Sequence, residues 1–200
     1  MNLEKKERGK YPYVKAAYMP TPCMQCQSAP CLAAAQDGAV YRTPEGIVII
    51  DPAKAKGQRQ IVDACPYGAI YWNEEQNLPQ KCSFCIHRLE AGKTPRCAQA
   101  CPSHAIKFGN LDDTQSEVSQ LFNSNKSAVL HPELNTNPQV KYIDLYKMNT
   151  LFIAGAVIFA ETDECAEGVK VTLSGESGSA ETLTSNYGNF HFDGLKEGNY

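Results

Sequence analysis

Eight of the chain's nine cysteines fall between Cys23 and Cys101, and only Cys165 lies outside that stretch. Thiols this dense either bind metal, pair as disulfides or sit as small apolar groups. The N-terminus, MNLEKKERGK, carries charge and lacks the apolar centre of a secretory signal. The longest apolar run, LFIAGAVIFA at 151–160, is too short to cross a bilayer, which takes roughly 20 residues. The chain therefore reads as cytoplasmic, with no direct membrane insertion. A reducing compartment disfavours disulfides, which leaves metal as the reason for the clustering. The net charge of −3 gives no electrostatic case for nucleic acid.

The spacing of the thiols narrows the metal. TPCMQCQSAPC holds Cys23, Cys26 and Cys31 as C-x2-C-x4-C. A C-x2-C pair brings two thiolates into one tight turn with backbone N–H groups facing the sulfurs, which suits a 4Fe-4S cubane. Three ligands leave one corner open. In two-cluster ferredoxin motifs a Cys-Pro from the other motif fills that corner, and QIVDACPYGAI supplies Cys65. Counted back from Cys65, the ligand positions of the second motif fall on Ala55, Gln58 and Ile61, and the reciprocal donor falls on Ala35. All four are non-cysteine, so that second cluster is absent as a set. Its space has to be refilled at core density, which Ala35 and Ile61 can do.

A second group, CSFCIHRLEAGKTPRCAQACP, places Cys82, Cys85, Cys97 and Cys101 at x2, x11 and x3. By the same exchange, Cys82, Cys85 and Cys97 hold a cluster whose fourth ligand lies outside these residues. Cys101 is then donated to a third cluster. The alternative is that the four close on one metal, with zinc the main rival. CPYGAI (65–70) and CPSHAI (101–106) match at four of six positions and favour the cluster reading: Pro stops the turn, Ala admits a bulky cluster and Ile shields it. Cys165, His87, His104, His131 and His191 show no ligand spacing, and Tyr71 and Trp72 read as packing. No phosphate loop, dinucleotide fingerprint or nucleophile elbow is present.

Around the cysteines the chain is rich in turn residues. DTQSEVSQLF (113–122) reads as a short helix with Val118, Leu121 and Phe122 on one face, and VKYIDLY (140–146) as a strand. From about Met148 the pattern changes to strand-length runs, FIAGAVIF, VKVTL, ETLTS and FHFDGL, separated by Gly, Asn and Asp. The expected architecture is α+β. A ferredoxin-like cluster-binding domain with few short helices and strands spans 1–147, with clusters within 19–110 and a connector over 111–147. A small antiparallel β-sandwich over 148–200 follows, incomplete at KEGNY.

PTPCMQCQSAPC, GIVIIDP, CPYGAIYWNE, QKCSFCIHRLEAGKTPRCAQACPSHAI and PELNTNPQVKYI together resemble the iron–sulfur subunits of dimethyl-sulfoxide-reductase-type molybdopterin oxidoreductases. They cover roughly residues 19–144. The resemblance implies an electron-transfer subunit with 4Fe-4S clusters and a large molybdopterin-binding catalytic partner. Within the family, the missing cluster and the C-terminal β-domain are most similar to transhydroxylase small subunits. The end of the chain, GVKVTLSG to GNY, is similar to transthyretin-like or carboxypeptidase-regulatory-like sandwiches. The family's first cysteine block is not in these residues, and the chain is read as a fragment. Two rival readings are a respiratory reductase subunit working with a membrane anchor and a zinc-stabilised binding module.

Overall fold

The computed structural model describes residues 2–9, 11, 14–176 and 178–200. These form two compact units: Pro20–Asp144 with the first residues of the chain, and Leu145–Tyr200 with Glu4–Met19. Residues 4–19, grouped with the cysteine region on sequence, thus cluster with the C-terminal unit. Among the described residues no helix is long and apolar enough to cross a membrane.

The chain opens with strands β1 (Asn2–Arg8) and β2 (Lys15–Thr21), which pair with each other. The cysteine unit then runs α1 (Pro30–Ala34), β3 (Val40–Arg42), β4 (Val48–Ile50), α2 (Gln60–Asp63), β5 (Ile70–Asn73), β6 (Leu78–Lys81), α3 (Ile86–Leu89), α4 (Arg96–Ala100), α5 (Glu117–Phe122), β7 (Ser127–Ala128) and β8 (Tyr142–Ile143). Three antiparallel pairs result: β3 with β4, β5 with β6, and β7 with β8. Such short pieces do not hold themselves together. α1, β3, β4, α2 and β5 meet in one core of Cys31, Ala39, Val40, Val48, Ala55, Ile61 and Ile70. The helix expected over 113–122 starts only at Glu117, because the Ser116 side chain caps it by accepting the Ser119 N–H. The strand expected over 140–146 shortens to β8.

The second unit holds α6 (Tyr146–Asn149), β9 (Leu151–Ala156), β10 (Lys170–Gly175), β11 (Gly178–Leu183) and β12 (Asn189–Leu195). β9 pairs antiparallel with β12, and β10 with β11. Phe190 and Phe192 share one face, with ring centroids 6.1 Å apart, as their alternation requires. Gly188 turns the chain into β12 at φ 67°, and a Cβ there would stand 2.3 Å from the Val157 carbonyl oxygen. The N-terminal strand is tied in by two cations. Lys6 Nζ donates to the Met148 and Thr150 carbonyls at 2.8 and 2.7 Å. Buried Arg8 pairs with Asp193 at 2.6 Å and donates to the Tyr146 carbonyl at 3.2 Å. Lys6 thereby satisfies carbonyls at the C-terminal end of α6, while Arg8 adds to a Tyr146 carbonyl that already accepts the Thr150 N–H.

Candidate metal centre

Cys23, Cys26 and Cys31 come from one loop and the first turn of α1. Gln25 is left-handed at φ 49°, which makes the turn between Cys23 and Cys26 tight, and all three thiols are buried. Cys65 arrives from the turn after α2, half-buried, and packs against the core cluster that contains Cys31. The structure brings these four together: Cys26 is acted on by the charges of Cys23 and Cys65, and Cys31 by those of Cys23, Cys65 and Cys26. Burial raises the Cys26 thiol above its ordinary range, opposed by a hydrogen bond with the Thr136 hydroxyl. It pushes Cys31 up to about 11, opposed by the Lys81 ammonium.

Cys65 and Cys101 open two turns of the same conformation. Gly68 N–H donates to the Cys65 carbonyl and His104 N–H to the Cys101 carbonyl, both at 3.1 Å. Gly68 and His104 are left-handed at φ 57° and 51°. The conformation wraps N–H groups around each sulfur. Ala69 N–H donates to Cys65 Sγ at 3.4 Å. The Cys101 thiol is lowered first by the Ser103 hydroxyl and then by the N–H groups of Ile106, Ala105 and Ser103.

The second group is more open. Phe84 and Cys85 are both left-handed at φ 53°, which tightens the Cys82–Cys85 turn at the head of α3. Cys97 lies exposed on α4 and Cys101 ends that helix. Burial raises the Cys82 thiol, and the charges of Cys23 and Cys97 add to the rise, while the Phe84 N–H and Lys81 oppose it. Cys82 is thus near Cys97 and also near Cys23 of the first group. The groups acting on Cys101 belong to its own turn.

The donor set fits a four-iron cluster at the first site. Four thiols converge in a protein interior with N–H groups on sulfur, the environment that suits a compact anionic cubane. Among the described residues no three Cys, His, Asp or Glu side chains gather closely enough for a single ion.

The positions flanking this site are packed with core atoms. Ala55 and Ile61 are 0 % exposed, and Ala35 packs on the same cluster. Buried Gln58 accepts the Gln36 N–H at 2.9 Å and donates to the Gln36 and Lys54 carbonyls at 3.3 and 2.9 Å. Its amide closes the backbone where a thiolate ligand would stand in a two-cluster motif.

Sequence reasoning missed three residues around the sulfurs. The connector passes over the first loop: Gln27 and Ser28 N–H groups donate to the Asn137 and Thr136 carbonyls at 2.9 and 3.1 Å. Thr136 is buried, and its hydroxyl also meets Tyr67 Oη at 2.7 Å. Arg42 donates to the Cys26 and Gln27 carbonyls at 2.7 and 2.8 Å. Gln25 reaches outward to β4 and to Cys82. No local pattern announces these contacts, although a polar residue inside a C-x2-C turn was visible. Trp72 lies under Arg59, 5.3 Å from its ring, and Cys165 is exposed.

Comparison with known proteins places the sequence in one family. A family model, the 4Fe-4S dicluster domain, covers residues 14–111. Over its full length the chain is 43% identical to the pyrogallol hydroxytransferase small subunit of Pelobacter acidigallici and covers 73% of it. It is 39% identical to the dimethylsulfide dehydrogenase subunit beta of Rhodovulum sulfidophilum across 70% of this chain and 44% of that one. It is 30% identical to the arsenate respiratory reductase iron–sulfur subunit of Shewanella sp. strain ANA-3 across 72% and 82%. The chain thus spans about three quarters of the first and under half of the second. On this similarity the chain belongs to the iron–sulfur, electron-transferring small subunits of dimethyl-sulfoxide-reductase-type molybdoenzymes, the family its cysteine motifs resemble.

Proposed function

We propose that this chain is the electron-transfer subunit of a transhydroxylase-like molybdoenzyme, working beside a large molybdopterin-binding subunit in the cytoplasm. Cys23, Cys26, Cys31 and Cys65 hold one complete 4Fe-4S cluster. Cys82, Cys85 and Cys97 hold a second whose fourth thiolate lies outside these 200 residues, and Cys101 serves a third. The observation that supports this reading is that Cys65, from a separate segment, packs on the core cluster that holds Cys31, beside the buried thiols of Cys23 and Cys26. When bound, such clusters supply one-electron storage and transfer.

The chain's own residues set how that happens. Cys65 and Cys101 accept N–H groups on their turns, and N–H···S bonds of this kind bear on cluster potential. Thr136 and Arg42 fix the first loop against the connector and β3. Ile61, Ala55 and Ala35 exclude water beside Cys31. The β-rich unit is read as part of a transthyretin-like or carboxypeptidase-regulatory-like sandwich, supported by its two antiparallel pairs and the turn at Gly188.

The test is anaerobic purification with co-expressed large subunit, followed by iron and molybdenum analysis and a redox titration read by electron paramagnetic resonance. The proposal expects brown protein, a copurifying large subunit and one-electron signals that reduced substrate or dithionite develops. Colourless, zinc-containing protein with no one-electron signal would overturn it in favour of a zinc-stabilised module.

A further inference from the structure

Two polar side chains join the cysteine groups. Gln25, 1 % exposed, lies inside the Cys23–Cys26 turn, and Lys81 immediately precedes Cys82. Gln25 Oε1 accepts the Val48 N–H at 2.7 Å, and its Nε2 donates to the Cys82 carbonyl at 3.1 Å. Lys81 Nζ donates to the same Cys82 carbonyl at 3.1 Å and to the Val48 carbonyl. The four groups close a ring: one member from each cysteine loop, bridged through both polar atoms of Val48. Beside it opens a cleft of about 240 Å³ lined by Cys23, Ala69, Lys81 and Cys82 among others. The two loops therefore meet at Lys81.

We propose that Lys81 is the shared counter-charge of the two cluster sites, held between them by the Gln25–Val48–Cys82 ring. The inference rests on reading both cysteine groups as cluster ligands. The two acceptors that fix the ammonium are neutral carbonyls, so its charge is left to act on the thiolates. Cys23 of the first group and Cys82 of the second line the same cleft as Lys81, so the charge lies beside ligands of both sites. Each reduction adds one negative charge to a site. A half-buried cation between two such sites is poorly screened by salt, and it eases both reductions. It also moderates the repulsion that electrons on neighbouring clusters exert on each other. Lys81 is a positioning residue for electron transfer, and one substitution should move two potentials together.

The test uses the complete assembly and three variants: Lys81→Met, Lys81→Arg and, as a control away from the ring, Lys107→Met. Iron per chain and the midpoint potential of each cluster are measured by chemical analysis and potentiometric electron paramagnetic resonance. A unit charge roughly 12 Å from a cluster, in a medium of effective dielectric about 20, changes an equilibrium by roughly tenfold. Lys81→Met should keep its iron and lower both potentials, each by roughly tenfold in the reduction equilibrium, ~59 mV for a one-electron couple. Lys81→Arg and Lys107→Met should keep both potentials. Full iron with only one potential moved, or none, overturns the inference. If Lys81→Met does not load iron, Lys81→Arg decides: native iron and potentials support a role for the charge, and loss of iron there too overturns it. A wild-type assembly without cluster iron removes the function proposed above and this inference with it.

Discussion

Ile61→Ala tests whether the ground beside the first site is packed core. Ile61 is fully buried, among Cys31, Val40, Val48, Ala55 and Ile70. The substitution removes three carbons, so the lost transfer free energy is about 2.4 kcal/mol at ~0.8 kcal/mol per carbon. The neighbours of Ile61 are mostly small or held in strands, so the hole closes only in part. A residual cavity of ~50 Å³ adds about 1.2 kcal/mol. The expected loss is thus roughly 3–4 kcal/mol, and Ile61→Val should lose only about 1. Cys31 belongs to the same packed cluster, so the loss should also loosen the site. The assay is urea unfolding of the iron-free chain, with cluster retention after a fixed chelator exposure. Both should worsen from wild type through Val to Ala. A loss under about 0.5 kcal/mol for Ile61→Ala, the range of surface substitutions, with unchanged retention, would refute the packing argument.

The two Cys-Pro turns predict substitutions of unequal cost. Gly68→Ala, at φ 57° with open space around the new Cβ, should destabilise by ~0.5–1 kcal/mol through backbone strain alone. His104→Gly, at φ 51° in the matching turn, should not destabilise by any comparable amount. Thermal unfolding compares the pair, and equal losses would contradict the shared geometry. The iron-free chain should also lose stability in alkali. Burial raises the Cys31 thiol to about 11, so the folded state holds its proton more tightly than the unfolded chain does near 9. That stability is fully present below about pH 9 and drains away as pH rises through about 11. A melting midpoint flat across that window in wild type, or equally steep in Cys31→Ala, would count against it.

The parts of the site that lie within single motifs could be read from the residues alone. CPYGAI and CPSHAI share four residues and fold into one turn with matching left-handed positions at Gly68 and His104. The C-terminal strands were legible because Phe190 and Phe192 alternate and a glycine turn precedes them. The helix at 113–122 was overextended because the hydrophobic spacing of Val118, Leu121 and Phe122 does not reveal that Ser116 caps it. What joins distant segments was not legible. Gln25 meets Cys82 across 57 residues, and Lys6 and Arg8 bond residues more than 130 positions away. Such contacts depend on the fold already formed, so charged, alternating β1 carried no sign that it belongs with the C-terminal unit.

Iron counted in Cys65→Ser beside wild type bears most directly on the central claim, that Cys65 completes the site of Cys23, Cys26 and Cys31. Both proteins would be prepared anaerobically under the same loading conditions. The account predicts about four iron atoms fewer per chain, the content of one cubane, or a cluster that is lost on brief exposure to chelator. Iron content, visible absorption and chelator resistance all identical to wild type would contradict it.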